Sequence, residues 1–160
     1  MEAMEFHKYL NMFRGAYKVL EEDWQRSARE IGLTLAEQHT LWIIQIEGKA
    51  TMSRVAEVGL WDLSTVMQMM KRLKEKGLVQ TSKNEEDLRV SYVVLTTLGE
   101  EKVEASKGFT HRLENFLDNC EANEEDLTYI YEFLRRINQT YHGDGFINWV
   151  ESGAENGSSE

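Results

Sequence analysis

DLSTVMQMMKRLKEKGLVQTSKNEEDLRVSYVVLT, residues Asp62 to Thr96, passes from helical to strand periodicity within one stretch. Leu63, Val66, Met70, Leu73 and Gly77 coincide at about 100° per residue, which makes them the inward stripe of a helix. The opposite face carries Ser64, Thr65, Gln68, Lys71 and Arg72. Short hydroxyls, an amide and two cations suit the base edges and phosphates of a major groove. Asp62 is placed to cap the free amides of the first turn. Lys74 and Lys76 suit the negative end of the helix dipole, and Gly77 can adopt the left-handed conformation that ends a helix. Leu78–Lys83 and Val90–Thr96 are then β-branched, aromatic or alternating, with Val90, Tyr92 and Val94 on one face and Ser91, Val93 and Leu95 on the other. They read as a hairpin whose turn, Asn84 to Arg89, lacks glycine, is crowded with charge and is longer than a two-residue connection.

Helix, GLV, then a hairpin with a charged tip is the order of a winged helix-turn-helix. The small and apolar residues before STV, the RLKEKGLV helix end, the Asp87-x-Arg89 pair and the LTTLGEE exit resemble the MarR family of bacterial transcription regulators. Within it, the run from about Trp24 to Glu151, with EQHTLWI and YHGDGF, looks most like the Hpr (ScoC) regulators of protease production. The resemblance implies a homodimer in which the first helix and the last two intertwine with the partner. It also implies that Met67 and Met69 stand where relatives often carry polar or hydroxyl side chains. Arg89 at a hairpin tip can enter a narrow minor groove, with Asp87 holding it in line. The alternative for this pair is a surface ion pair worth little.

Composition sets the frame. A chain of 160 residues fits a single domain with a real core. Its apolar runs fall short of a membrane span, and MEAMEFHKYL lacks the basic start and apolar stretch of a secretory signal, so a cytoplasmic protein is expected. The single cysteine, Cys120, agrees with a reducing compartment and reads as an incidental or structural thiol. The net charge of -10 opposes nucleic-acid binding only when taken over the whole chain. From Trp61 to Thr96 six Lys and Arg (71, 72, 74, 76, 83, 89) face five Asp and Glu (62, 75, 85, 86, 87), a net of +1, so the remainder carries -11. An acidic body behind a locally cationic face suits orientation-specific binding.

Working outward toward the amino terminus, Phe6, Leu10, Phe13, Tyr17, Leu20, Trp24, Ala28 and Ile31 recur every three or four residues and give one long helix with an aromatic stripe, stopped by Gly32. That stripe packs either on its own chain or on a second subunit. Thr34-x-x-Glu37 is a capping box opening a helix with Leu35, His39, Trp42, Ile43 and Ile46 inward. Thr51 opens MSRVAEVG, in which Met52, Val55 and Ala56 face in and Ala56 allows two helices to cross closely. Gly59, Leu60 and Trp61 turn into the reading helix.

Beyond the hairpin, Thr97-x-x-Glu100 reads as a second capping box, opening one helix that carries Leu98, Val103, Ala105, Phe109, Leu113, Phe116 and Leu117 and ends near Asn119. Asn123 caps the last long helix, with Leu127, Ile130, Leu134, Ile137 and Tyr141 repeating inward. His142 to Gly145 reads as a turn, Phe146, Ile147, Trp149 and Val150 as a short packed piece, and 152–160 as a disordered tail. The expected fold is mainly α with a small hairpin: a winged helix-turn-helix lobe over about 34–97, dimerisation helices over about 5–31 and 98–150, and one domain over 1–151.

The expected DNA contacts are Ser64, Thr65, Gln68, Lys71, Arg72, Asp87 and Arg89. The expected dimer contacts are Phe6, Leu10, Phe13, Tyr17, Leu127, Ile130, Leu134 and Ile137. His7, His39, His111 and His142 lack zinc-site spacing, and no nucleophile with a paired base, phosphate-cradling loop or carboxylate pair is evident. No cofactor, no metal and no catalysis are therefore expected. The family resemblance adds an aromatic pocket between DNA lobe and dimer helices, where relatives hold small phenolic ligands; Trp42 and Trp61 belong either there or to the core. The function expected is a homodimer that binds a palindromic promoter site on double-stranded DNA and represses by excluding polymerase, with protease production or the exit from growth as targets. The competing class is a winged-helix protein-interaction module that does not bind DNA.

Overall fold

The computed structural model describes residues 3–83, 90–119 and 123–157. In order these form α1 (Ala3–Glu30), α2 (Leu35–Glu47), α3 (Met52–Gly59), α4 (Leu63–Glu75), β1 (Val79–Lys83), β2 (Ser91–Leu95), α5 (Thr97–Lys107), α6 (Arg112–Asn119) and α7 (Glu124–Gly157). The mainly helical fold with one hairpin is as the sequence implies. Each helix of the central lobe begins on an oxygen-bearing cap, which satisfies amides that no preceding turn can reach. At α2 the full capping box forms between Thr34 and Glu37. Thr51 caps α3 and Asp62 caps α4. Gly77, at φ +72°, turns the chain out of α4 and into β1.

β1 and β2 pair antiparallel with Val79 opposite Leu95 and Lys83 opposite Ser91. Ala50, between α2 and α3, exchanges two backbone hydrogen bonds with Val93 and lays a further bridge beside the hairpin. The core lies between α2, α3, α4 and this sheet, where Leu41, Ile43, Ile44, Val55, Val66, Met70, Leu73 and Val93 are all but sealed from solvent. Leu35, His39, Trp42 and Ile46, expected inward on α2, are instead half-buried on a second face of the helix. An arc of Leu41, Ile43 and Ile44 supplies the true core contact.

Three carboxy-terminal expectations are corrected. The helix expected to run from Thr97 to Asn119 is two, because Arg112 is drawn to α1: its backbone N–H and its Nε donate to the buried Asp23 carboxylate at 2.7 and 2.6 Å. The chain must bend between Lys107 and Arg112 to reach it, and Gly108, a poor helix former, lies at the bend. The cap of α5 is Thr96 rather than Thr97, since the Thr96 hydroxyl accepts from the Gly99 amide. The chain is also helical past Ser152 as far as Gly157, where a tail was expected. The turn at His142–Gly145 is present as a break within α7, at Gly143 with φ 79° and ψ 178°. Beyond it Ile147 is buried and Glu151 pairs back to Arg135 at 2.9 Å, which fixes the returning helix.

Candidate nucleic-acid interface

α4 presents one apolar and one polar face. Val66, Met69, Met70 and Leu73 are buried. Leu63, expected inward, is 47% exposed, and Met69, which the expected inward stripe left out, is 2% exposed. The buried set follows the i, i+3, i+4, i+7 rule, and the Met69 sulfur lies 3.1 Å from the Thr40 hydroxyl of α2, which donates to the Ala36 carbonyl at 2.8 Å. Met67 remains outward at 56% exposure, so one apolar side chain stands among the polar ones.

Ser64, Gln68, Lys71 and Arg72 are exposed and Thr65 is half-buried. The two hydroxyls are already engaged. Ser64 and Thr65 both donate to the Asp62 carboxylate, which also accepts from the Thr65 amide at 2.9 Å. These bonds, the Ser64 hydroxyl first, lower the Asp62 carboxyl to about 2. Ser64 and Thr65 therefore keep only lone pairs for a base amine unless Asp62 releases them. Sequence periodicity could place these hydroxyls on the face but could not show that their protons were spent. Lys71 lies 4.0 Å from Glu75 with both groups largely exposed, a pair too weak to hold the ammonium back. Gln68 and Arg72 have no side-chain partner among the described residues.

The reading helix is braced at both ends. Leu60 takes a left-handed conformation in the turn before it, and Trp61 stacks so closely over Gly59 that a Cβ there would strike the indole. At the far end Lys76 donates to the buried Glu37 at 2.8 Å, and the same carboxylate oxygen accepts from the Thr34 amide. Burial alone would push the Glu37 carboxyl up, but the bonds from Lys76 and Thr34 outweigh it and hold it below the usual range. The Thr96 hydroxyl donates to the Gly77 carbonyl and ties the hairpin exit to the helix end. Asp87, Arg89 and Cys120 lie outside the described residues.

Away from the lobe, α1 and α7 leave an apolar surface open. Phe6, Leu10, Phe13 and Tyr17 on α1 are exposed, as are Ile130, Leu134 and Ile137 on α7, while Leu127 is half-buried. Phe13 stacks on Phe133 with centroids 6.3 Å apart, so the two helices contribute to one surface.

Between α1, α2, α5, α6 and the end of α7 lies a cavity of about 720 Å³ lined by Trp24, Leu35, His39, Trp42, Phe109, His111 and Trp149 among others. Trp42 donates to the Ser106 hydroxyl at 2.9 Å. His39 sits among Trp24, Trp61 and Trp149, with ring centroids within 6.1 Å, and burial lowers its pKa. His111 Nδ1 and Trp149 Nε1 are buried without a partner among the described residues. Trp42 thus lines the cavity while also packing against the core, and Trp61 packs on the core edge. Among the described residues no group of His, Cys, Asp or Glu is placed to hold a metal ion, and no helix is long and apolar enough to cross a membrane.

Residues 33–91, from just before the capping box to the first residue of β2, match the sequence model of the MarR family. Over 149 residues the chain is 32% identical to the HTH-type transcriptional regulator Hpr of Exiguobacterium sibiricum, covering 89% of this chain and 77% of that protein. The chain belongs to the MarR family. A second Hpr regulator, from Geobacillus thermodenitrificans, is 37% identical over 101 residues, 62% of this MarR-family chain and 50% of its relative. In three dimensions the MarR-family fold is matched by a mutant MarR from E. coli complexed with operator DNA, with a TM-score of 0.66 at 20% identity, covering 82% of this chain and 96% of that one. The protein is thus a DNA-binding transcriptional regulator of the winged-helix type and not an enzyme.

Proposed function

We propose that this MarR-family protein is a homodimer that reads a two-fold-symmetric promoter site and represses transcription by occupying it. The observation that carries the reading is the outer face of α4, where Gln68 and Arg72 stand exposed and without a partner among the described residues. Gln68 has the bidentate chemistry for an adenine edge, and Lys71 and Arg72 that for guanine or phosphate. Ser64 and Thr65 contribute acceptors near the helix start, and Asp87 with Arg89 forms the wing contact to the minor groove. The open apolar surface of α1 and α7 supplies the self-complementary patch of an isologous dimer, with Phe6, Leu10, Phe13, Tyr17, Leu127, Ile130, Leu134 and Ile137 as its contacts. Two reading helices about 34 Å apart would enter successive major grooves on one side of the duplex.

The likeness to Hpr regulators extends the proposal to genes for protease production or the exit from growth, controlled in the cytoplasm. The cavity beside His39, with two polar atoms that have no partner among the described residues, favours a small aromatic effector that shifts the dimer between binding and non-binding forms. The test is sedimentation of the protein and of Phe13→Glu, each followed by titration with duplex DNA. A dimeric wild type, a monomeric variant and loss of DNA affinity in step with the dimer support the reading. A wild type that stays monomeric and lacks duplex affinity favours the rival reading, an acidic protein-interaction module.

A further inference from the structure

Arg54, on α3, reaches three elements with one guanidinium. Its Nε donates to Glu47 at the end of α2 at 3.0 Å, and its Nη1 donates to Glu57 on α3 at 3.0 Å. The same Nη1 lies 3.4 Å from the carbonyl of Gly145 in α7. The side chain is only 27% exposed, and although burial alone would lower its pKa, the bonds to Glu47 and Glu57 outweigh it and raise it. An arginine so occupied is withdrawn from DNA and acts as a joint.

The third bond gives the joint its meaning. Gly145 follows the break at Gly143, whose left-handed φ is disfavoured for any side chain, so the chain there reverses onto the lobe rather than continuing outward. The returning arm is held on both sides. Ile147 is buried, Trp149 meets His39 edge-on at 5.9 Å, and Glu151 pairs back to Arg135 on the outward half of α7. A Cβ on Gly145 would displace the end of the half-exposed Glu57 side chain, the carboxylate that also accepts from Arg54. The long helix that carries the open apolar surface is thereby fastened to α3, the helix that packs against α4.

We propose that Arg54 is a positioning residue that fixes the angle between the DNA lobe and α7, and with it the spacing between half-sites that the dimer accepts. The inference rests on the dimeric, two-half-site reading above. Neutralising two acidic neighbours requires only the bonds to Glu47 and Glu57; the bond to Gly145 crosses from lobe to arm and constrains their relative orientation. A lysine would keep the charge but lacks the planar fork that serves several acceptors at once.

The experiment measures affinity for duplexes whose two half-sites are moved apart or together one base pair at a time, alongside a duplex carrying a single half-site. Wild type, Arg54→Ala, Arg54→Lys and Gly145→Ala are compared, with melting temperature recorded for each. In Arg54→Ala the affinity ratio between the preferred spacing and its neighbours should fall about fivefold or more, the lower end of typical coupling between sites. Affinity for the single half-site should be unchanged, and Arg54→Lys should recover little of the discrimination. An equal loss at every spacing, or a lower melting temperature with the spacing profile intact, marks a merely structural residue and overturns the proposal. If Arg54→Ala does not fold, Gly145→Ala perturbs the same joint from the α7 side and must flatten the profile, or the proposal fails. A wild type with no spacing preference at all would instead refute the two-half-site reading itself.

Discussion

Replacing Arg72 with alanine isolates the electrostatic part of DNA binding. Arg72 is exposed on α4 and has no side-chain partner among the described residues, so truncation strands no buried acceptor and leaves the core face of Val66, Met69, Met70 and Leu73 untouched. Stability should therefore change by no more than about 0.5 kcal/mol. If each Arg72 neutralises one phosphate, a dimer loses two such contacts and the slope of log affinity against log salt becomes shallower by about 1.8. Between about 50 and 200 mM salt the wild type should lose about tenfold more affinity than the variant. Fluorescence anisotropy on one labelled duplex across that range reads the slope directly. Lys71→Ala should flatten it to a similar degree, because the exposed Glu75 4.0 Å away is too weak a partner to hold the ammonium back. An Arg72→Ala slope equal to that of the wild type would refute the assignment of this face to phosphate.

Leu73, fully buried beneath the reading helix, should cost about 3 kcal/mol when cut to alanine. At fixed protein concentration that corresponds to a melting temperature lower by roughly 6–12 °C, and a loss under about 1 kcal/mol in urea unfolding would contradict the packing described. The Asp62 carboxyl, lowered to about 2 in the folded chain, lies below its unfolded value, so its support for α4 is complete above about pH 4 and disappears as pH falls toward 2. Carboxyl chemical shifts should follow that titration; a midpoint near 4 would sink the Ser64 and Thr65 capping bonds. Burial lowers the His39 pKa, so the unfolded chain binds this proton first, and stability present above about pH 6.5 should decline as pH drops below it. Imidazole shifts that titrate above that value would contradict the aromatic enclosure by Trp24, Trp61 and Trp149.

The order of elements was legible because periodicity and caps are local. Thr34, Thr51 and Asp62 each cap the helix that follows, and Gly77 turns the chain as its lack of a side chain permits. What depends on distant partners was not. Met69 turns inward because α2 packs over it, its sulfur 3.1 Å from the Thr40 hydroxyl, whereas Leu63 is left 47% exposed. The split between α5 and α6 follows from Asp23 reaching Arg112 across most of the chain. Gly143 marks a break, but the helix resumes beyond it, where Ile147 is buried and Trp149 packs on the lobe against His39. At the interface, the polar face was visible in the spacing of Ser64, Gln68, Lys71 and Arg72. The spent protons of Ser64 and Thr65, and the joint at Arg54, required the three-dimensional arrangement.

The measurement that bears most directly on the dimeric reader is selection of bound sequences from a random duplex pool, followed by affinity for the enriched site at two salt concentrations. The expected result is an inverted repeat with half-site centres about one helical turn apart and an affinity that falls steeply with salt. A pool that yields no enriched sequence, with only weak salt-sensitive binding, would contradict it.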